Sequence, residues 1–87
     1  LSDDDRMKTK VWICAQDVVE QDLKSPSSAK FCKGYETTVY HQNGNQYIAM
    51  GYVDADNSYG ANIRTRFTVW LTMTEAGYKD AYAEYDQ

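Results

Sequence analysis

The 87-residue chain has one proline, two cysteines and one histidine, and no long uninterrupted apolar run. A membrane span needs about twenty apolar residues in a row, so no transmembrane helix is expected and no membrane contact is assigned to this segment. Nine basic residues against thirteen acidic ones give a net charge of -4, whereas nucleic-acid binders usually carry a basic excess. No nucleic-acid partner is expected. Leu, Ile, Val and Phe number fourteen, about 16% of the chain, a shortage that in a strongly charged sequence would mean disorder. Eight tyrosines and two tryptophans offset it, and the small net charge does not keep the chain expanded. The scarcity of proline and glycine excludes a linker or a low-complexity segment. What is present is one small globular domain.

A domain of this size buries roughly 60–65% of the surface of its unfolded chain, so a staple would matter. Cys14 and Cys32 permit a single intrachain disulfide, which would fit an exported protein; the alternative is two small buried thiols. From Cys14 to Lys24 a helix advances about 15 Å, and the segment from Ser25 to Cys32 spans at most about 26–29 Å extended, so the chain can return to close the bridge. The sequence begins at Leu1 rather than methionine. A processed product or an excised piece is the expectation, and an exported or cell-envelope location is favoured over the cytoplasm.

Ser2 followed by Asp3, Asp4 and Asp5 reads as a helix start: a hydroxyl cap, then acids against the positive end of the dipole. Val11, Cys14, Ala15, Val18, Val19 and Leu23 recur at steps of three and four, and Lys24-Ser25-Pro26 stops the pattern. The spacing predicts a helix over about 3–24. From Gly34 the period becomes alternating. Strands are predicted over Gly34–His41, Tyr47–Asp54 and Ala61–Met73, with turns at Gln42-Asn43-Gly44, Asp56 to Gly60 and Glu75-Ala76-Gly77. The tail from Tyr78 to Tyr85 fits a fourth strand or a helix, with the strand preferred. The fold class is α+β: one N-terminal helix packed on a three- to four-stranded antiparallel meander, an α-β-β-β-β order of cystatin-like kind.

Two stretches carry a resemblance. Leu23-Lys24-Ser25-Pro26-Ser27-Ser28-Ala29-Lys30-Phe31 is similar to an "LKSPSTAKF" helix ending in a family of small uncharacterised domains of bacteria and their phages. Gly51 to Ala61, then Arg64 and Phe67, resemble that family's later stretch at matching separation. The resemblance covers about residues 11–70 and departs after Trp70. It implies a shared fold and export behind an anchor or another domain, and it implies no reaction.

Catalytic chemistry is not expected. His41 is the only histidine, and no phosphate-cradling glycine loop, HExxH or GxSxG occurs. Asp54-Ala55-Asp56-Asn57-Ser58 imitates the start of a calcium loop, but Tyr59 stands where that loop needs glycine and Thr65 where it needs an acid. No metal and no cofactor are assigned. The informative feature is the sheet face that a single helix leaves uncovered. A three-residue loop at Gln42–Gly44 sets Val39 opposite Tyr47 in the core and Tyr40 beside Ile48 outside; a two-residue loop inverts the faces. In the first register the outer face carries Tyr40, Ile48, Met50, Tyr52, Arg64, Arg66 and Trp70. Aromatic, Met and Arg side chains are those enriched at interface centres. The expected function is a non-enzymatic module that binds a protein partner or itself through this face. The second expectation is a phage-encoded inhibitor of a host enzyme or defence complex, acting through acidic charge.

Overall fold

The computed structural model describes residues 2–86. Helix α1 (Asp3–Asp22) is followed by five strands: β1 (Lys30–Phe31), β2 (Thr38–Asn43), β3 (Gln46–Asp56), β4 (Asn62–Thr74) and β5 (Gly77–Asp86). All pair antiparallel in one sheet ordered β1-β3-β4-β5, with β2 also on β3. The α+β class and the helix-on-sheet arrangement are those expected from the sequence; the strand count is five rather than three or four.

The helix starts as its capping residues dictate. The Ser2 hydroxyl accepts the Asp5 amide at 3.1 Å, and Asp3, Asp4 and Asp5 fill the first turn. The helix ends at Asp22, two residues before the expected end, where Leu23 turns extended. Val11, Ala15 and Val19, four residues apart, are fully buried and make the seam on the sheet. Opposite lie Tyr47, Ala49 and Val53 of β3 and Phe67, Val69, Leu71 and Met73 of β4. One end of this core is aromatic. Trp12 stacks on Phe67 with ring centroids 5.8 Å apart, and Phe31 meets both rings edge-on.

β1 and β2 run along the same edge of β3 as one interrupted strand. Phe31 pairs with Val53 and Thr38 with Met50, so the chain between them leaves the ladder opposite only two residues. A single 3-10 turn, Gly34–Glu36, occupies part of that excursion, where a continuous strand was expected from Gly34. The sequence reading missed β1, which is too short to show an alternation.

The β2–β3 turn reconciles two alternatives. The loop itself has two residues, Gly44 and Asn45, with Gly44 at φ 54°, the region glycine enters freely. A register shift between His41 and Asn43 then restores the parity of a three-residue loop. Val39 therefore opposes Ala49 rather than Tyr47, while Tyr40 lies beside Ile48 on the outer face as expected. The tail is a strand. It too carries a bulge, between Lys79 and Tyr82, with Asp80 at φ 53°.

The disulfide expectation is corrected: both cysteines are free thiols. They sit on different flanks of the helix. Cys32 is buried beside Gly51, its Sγ 3.3 Å from Thr37 Oγ1 and 3.5 Å from the Tyr52 amide. Cys14 lines a groove with Met7, Ile13, Met73 and Gly77 at the other side. Burial, then the charge of Asp17, pushes its thiol up. The chain is long enough to bring the sulfurs together, but the helix rotation turns one of them away. Two free thiols give no support to export.

Candidate interaction surface

The register of β3 on β4 decides which side chains share the outer face. Ile48 opposes Trp70, Met50 opposes Thr68, Tyr52 opposes Arg66 and Asp54 opposes Arg64. β2 adds Tyr40 beside Ile48 and Thr38 beside Met50; β5 adds Tyr82 beside Trp70, Glu84 beside Thr68 and Asp86 beside Arg66. All seven side chains singled out from the sequence lie on this one face. They fall into cross-strand rows.

The first row runs Tyr40–Ile48–Trp70–Tyr82 across four strands. Trp70 and Tyr82 are in ring contact at 5.7 Å. Tyr40 is 54% and Tyr82 58% exposed, while Ile48 and Trp70 between them are half-buried by their neighbours. Next comes Thr38–Met50–Thr68–Glu84, with Met50 41% exposed. The third row is Tyr52–Arg66–Asp86. Here the face sinks into a groove of about 640 Å3, lined by Glu36, Met50, Tyr52, Arg66, Glu84 and Asp86 among others. Ridge and groove therefore lie side by side.

Arg64 and Tyr52 are not free contacts. Arg64 Nε and a terminal guanidinium nitrogen donate to the two oxygens of Asp54 at 2.8 and 2.9 Å, and the guanidinium lies 3.9 Å over the Tyr52 ring. The Tyr52 hydroxyl donates to Glu36 Oε2 at 2.9 Å. The bidentate bond to Arg64 holds the Asp54 carboxyl below its ordinary range, and the bond to Glu36 raises the Tyr52 phenol. This chain of contacts stiffens one end of the face. Arg66, by contrast, makes no hydrogen bond or ion pair among the described residues and presents its guanidinium to the groove.

The residues that imitated a calcium loop are engaged elsewhere. Asp54 holds Arg64, Asp56 Oδ1 accepts from Asn62, and Asn57 Oδ1 accepts the amides of Tyr59 and Ala61, which closes the β3–β4 turn. Among the described residues no cluster of three or more His, Cys, Asp or Glu is arranged to hold a metal. His41 is exposed at the sheet corner, its Nε2 2.6 Å from the Gly44 carbonyl oxygen. No helix among the described residues is long and apolar enough to cross a membrane.

The sequence reading omitted Tyr82, Glu84 and Asp86, because the bulge after Lys79 breaks the alternation that would have sorted them by face. The Trp70–Tyr82 pairing could be found only once β5 was known to be a strand. No family model, no curated protein and no solved structure matches the chain.

Proposed function

We propose that the protein is a non-enzymatic interaction module that binds protein through the outer sheet face. The carrying observation is the aromatic and aliphatic row Tyr40–Ile48–Trp70–Tyr82, which no element among the described residues covers. The tail, an obvious cover, pairs edgewise as β5 and lengthens the row instead. Aromatic side chains give large contact area for few rotatable bonds, and the rim of arginines and acids supplies orientation. Acidic mimicry of a nucleic acid, the basis of the inhibitor alternative, fits less well: Arg64 and Arg66 place two cations on the same face.

Photocrosslinking tests this. With a benzophenone amino acid at Tyr82, protein adducts are expected that disappear when Trp70 is replaced by Arg and persist at raised salt. The same probe at Ile13, 60% exposed on the helix side, serves as the control. Adducts from Ile13 alone, or Tyr82 adducts indifferent to Trp70→Arg, would overturn the assignment. Steep loss with salt would favour the charge-driven inhibitor, because exposed charges are screened within about 10 Å at 0.1 M.

A further inference from the structure

We propose that the occupant of this face is a second copy of the chain, in a symmetric face-to-face dimer whose twofold axis crosses the strands at the Met50–Thr68 row; this rests on the interaction-module reading. The rows of the face are complementary to one another. An axis parallel to the sheet, midway between the two copies and perpendicular to the strands, lays β3 over the partner β3 and β4 over the partner β4 with their directions reversed. Rows equally distant from the axis then meet. The row on one side is Ile48–Trp70–Tyr82, a ridge; the row on the other is Tyr52–Arg66–Asp86, at the groove. Each pair that results is favourable. Trp70 enters the partner groove over Arg66, the arginine of this face without an ion-pair partner among the described residues, a cation–π contact. Ile48 lies over Tyr52, and the Tyr82 hydroxyl, which donates to its own Glu84 at 3.2 Å, turns to the partner Asp86 carboxylate. Because the two rows are mutually complementary, one contact is made twice, as an isologous interface requires.

The dimensions suit a stable but weak pair. Four strands at about 4.8 Å spacing and eight to eleven residues of about 3.4 Å give roughly 500–700 Å2 per copy. The total of about 1,000–1,400 Å2 lies at the low end of specific interfaces. The twofold also makes one unfavourable prediction. Glu84 lies in the row on the axis and meets its own copy, so like charges oppose each other at the β5 edge.

That repulsion makes the axis testable. Light scattering from low-micromolar to millimolar concentration is run on wild type, Trp70→Arg, Met50→Arg and Glu84→Gln, each checked for fold by circular dichroism. Wild type is expected to dimerise. Trp70→Arg and Met50→Arg raise the dissociation constant about tenfold or more, the second because it sets two guanidinium groups together on the axis. Glu84→Gln lowers it about threefold or more by removing the carboxylate pair. Met50, at the surface, keeps the test alive if Trp70→Arg unfolds. A wild-type monomer at millimolar concentration overturns the proposal, as does a dimer indifferent to the folded arginine variants. A dimer not tightened by Glu84→Gln places the twofold elsewhere and overturns it too. A monomer that still gives Tyr82 crosslinks to another protein removes the self-pairing alone and leaves the module reading in place.

Discussion

Gly51 sits where the helix and the interrupted edge strand both press on β3. A Cβ built there meets Cys32 Sγ at 2.9 Å and a Trp12 ring carbon at 3.2 Å. The Cys32 thiol is buried and has a single torsion, so it has little room to retreat. Gly51→Ala is expected to cost about 1–3 kcal/mol through overpacking, read as a lower urea midpoint at unchanged slope. Adding Cys32→Ala should recover part of the loss, since the two side chains contend for one space. The thiols themselves give a second check. Without reductant both should alkylate in denaturant, and in the native protein Cys14 should react slowly and Cys32 slower still, followed by intact mass. A sample with no free thiol before reduction would contradict the two-flank placement. At this scale the sequence was informative about identity but not about approach. The helical stripe showed that Cys14 and Val11 belong near the sheet. Nothing in the pattern showed that Trp12 needs a glycine beneath it, because that depends on which residue of β3 lies under the helix.

Among the elements, β5 is held to the helix by tyrosines. The Tyr78 hydroxyl donates to Asp17 Oδ2 at 2.6 Å and accepts from Gln21 at 3.0 Å; the Tyr85 hydroxyl bonds to Asp22. The bond to Asp17 raises the Tyr78 phenol, and burial followed by the Asp22 bond raises that of Tyr85. A phenol raised in the folded state keeps its proton while the unfolded chain loses it. Its stabilisation is complete below the ordinary tyrosine value of about 10 and declines as pH rises past it. Stability should therefore fall above pH 10, and Tyr78→Phe/Tyr85→Phe should flatten that fall in denaturation curves taken across the alkaline range. Helix bounds, hairpins and the identity of the long β3–β4 pair were legible because each has a period or a turn residue of its own. The 3-10 turn at Gly34–Glu36 was not, since Tyr35, Thr37 and Val39 alternate whether or not the first of them is in the ladder. The two bulges were also illegible: a one-residue slip is set by pairing with a neighbour, not by local composition.

The whole molecule measures 41 × 25 × 20 Å, drawn out along its longest hairpin. Of the two outer edge strands, β2 and β5, the second discourages growth of the sheet. Lys79, Asp80, Glu84 and Asp86 stand along it, and antiparallel self-pairing in the even registers near Tyr82 sets Asp80 against Glu84 or Asp86. An edge so guarded turns another chain away from the β5 side, while the face stays open to one. The ridge and groove on that face were half legible. The sequence sorted β3 and β4 residues correctly between the two sides, but the rows that pair a ridge with a groove exist only after β2 and β5 are in register.

The excursion between β1 and β2 has a further use. Phe31 is fixed by Val53 on one side of it and Thr38 by Met50 on the other, so its length enters neither pairing. Loop closure costs only about 0.6 kcal/mol for each doubling of length. Five glycine and serine residues inserted between Gly34 and Tyr35 break the 3-10 turn that carries Glu36, so the melting temperature should fall modestly, with amide shift changes confined to the Tyr52–Arg64 end of the outer face and none in the Tyr40–Ile48–Trp70–Tyr82 row. The fold thus carries a permissive site, at which an epitope or a reporter can be displayed while the hydrophobic ridge stays available to its partner.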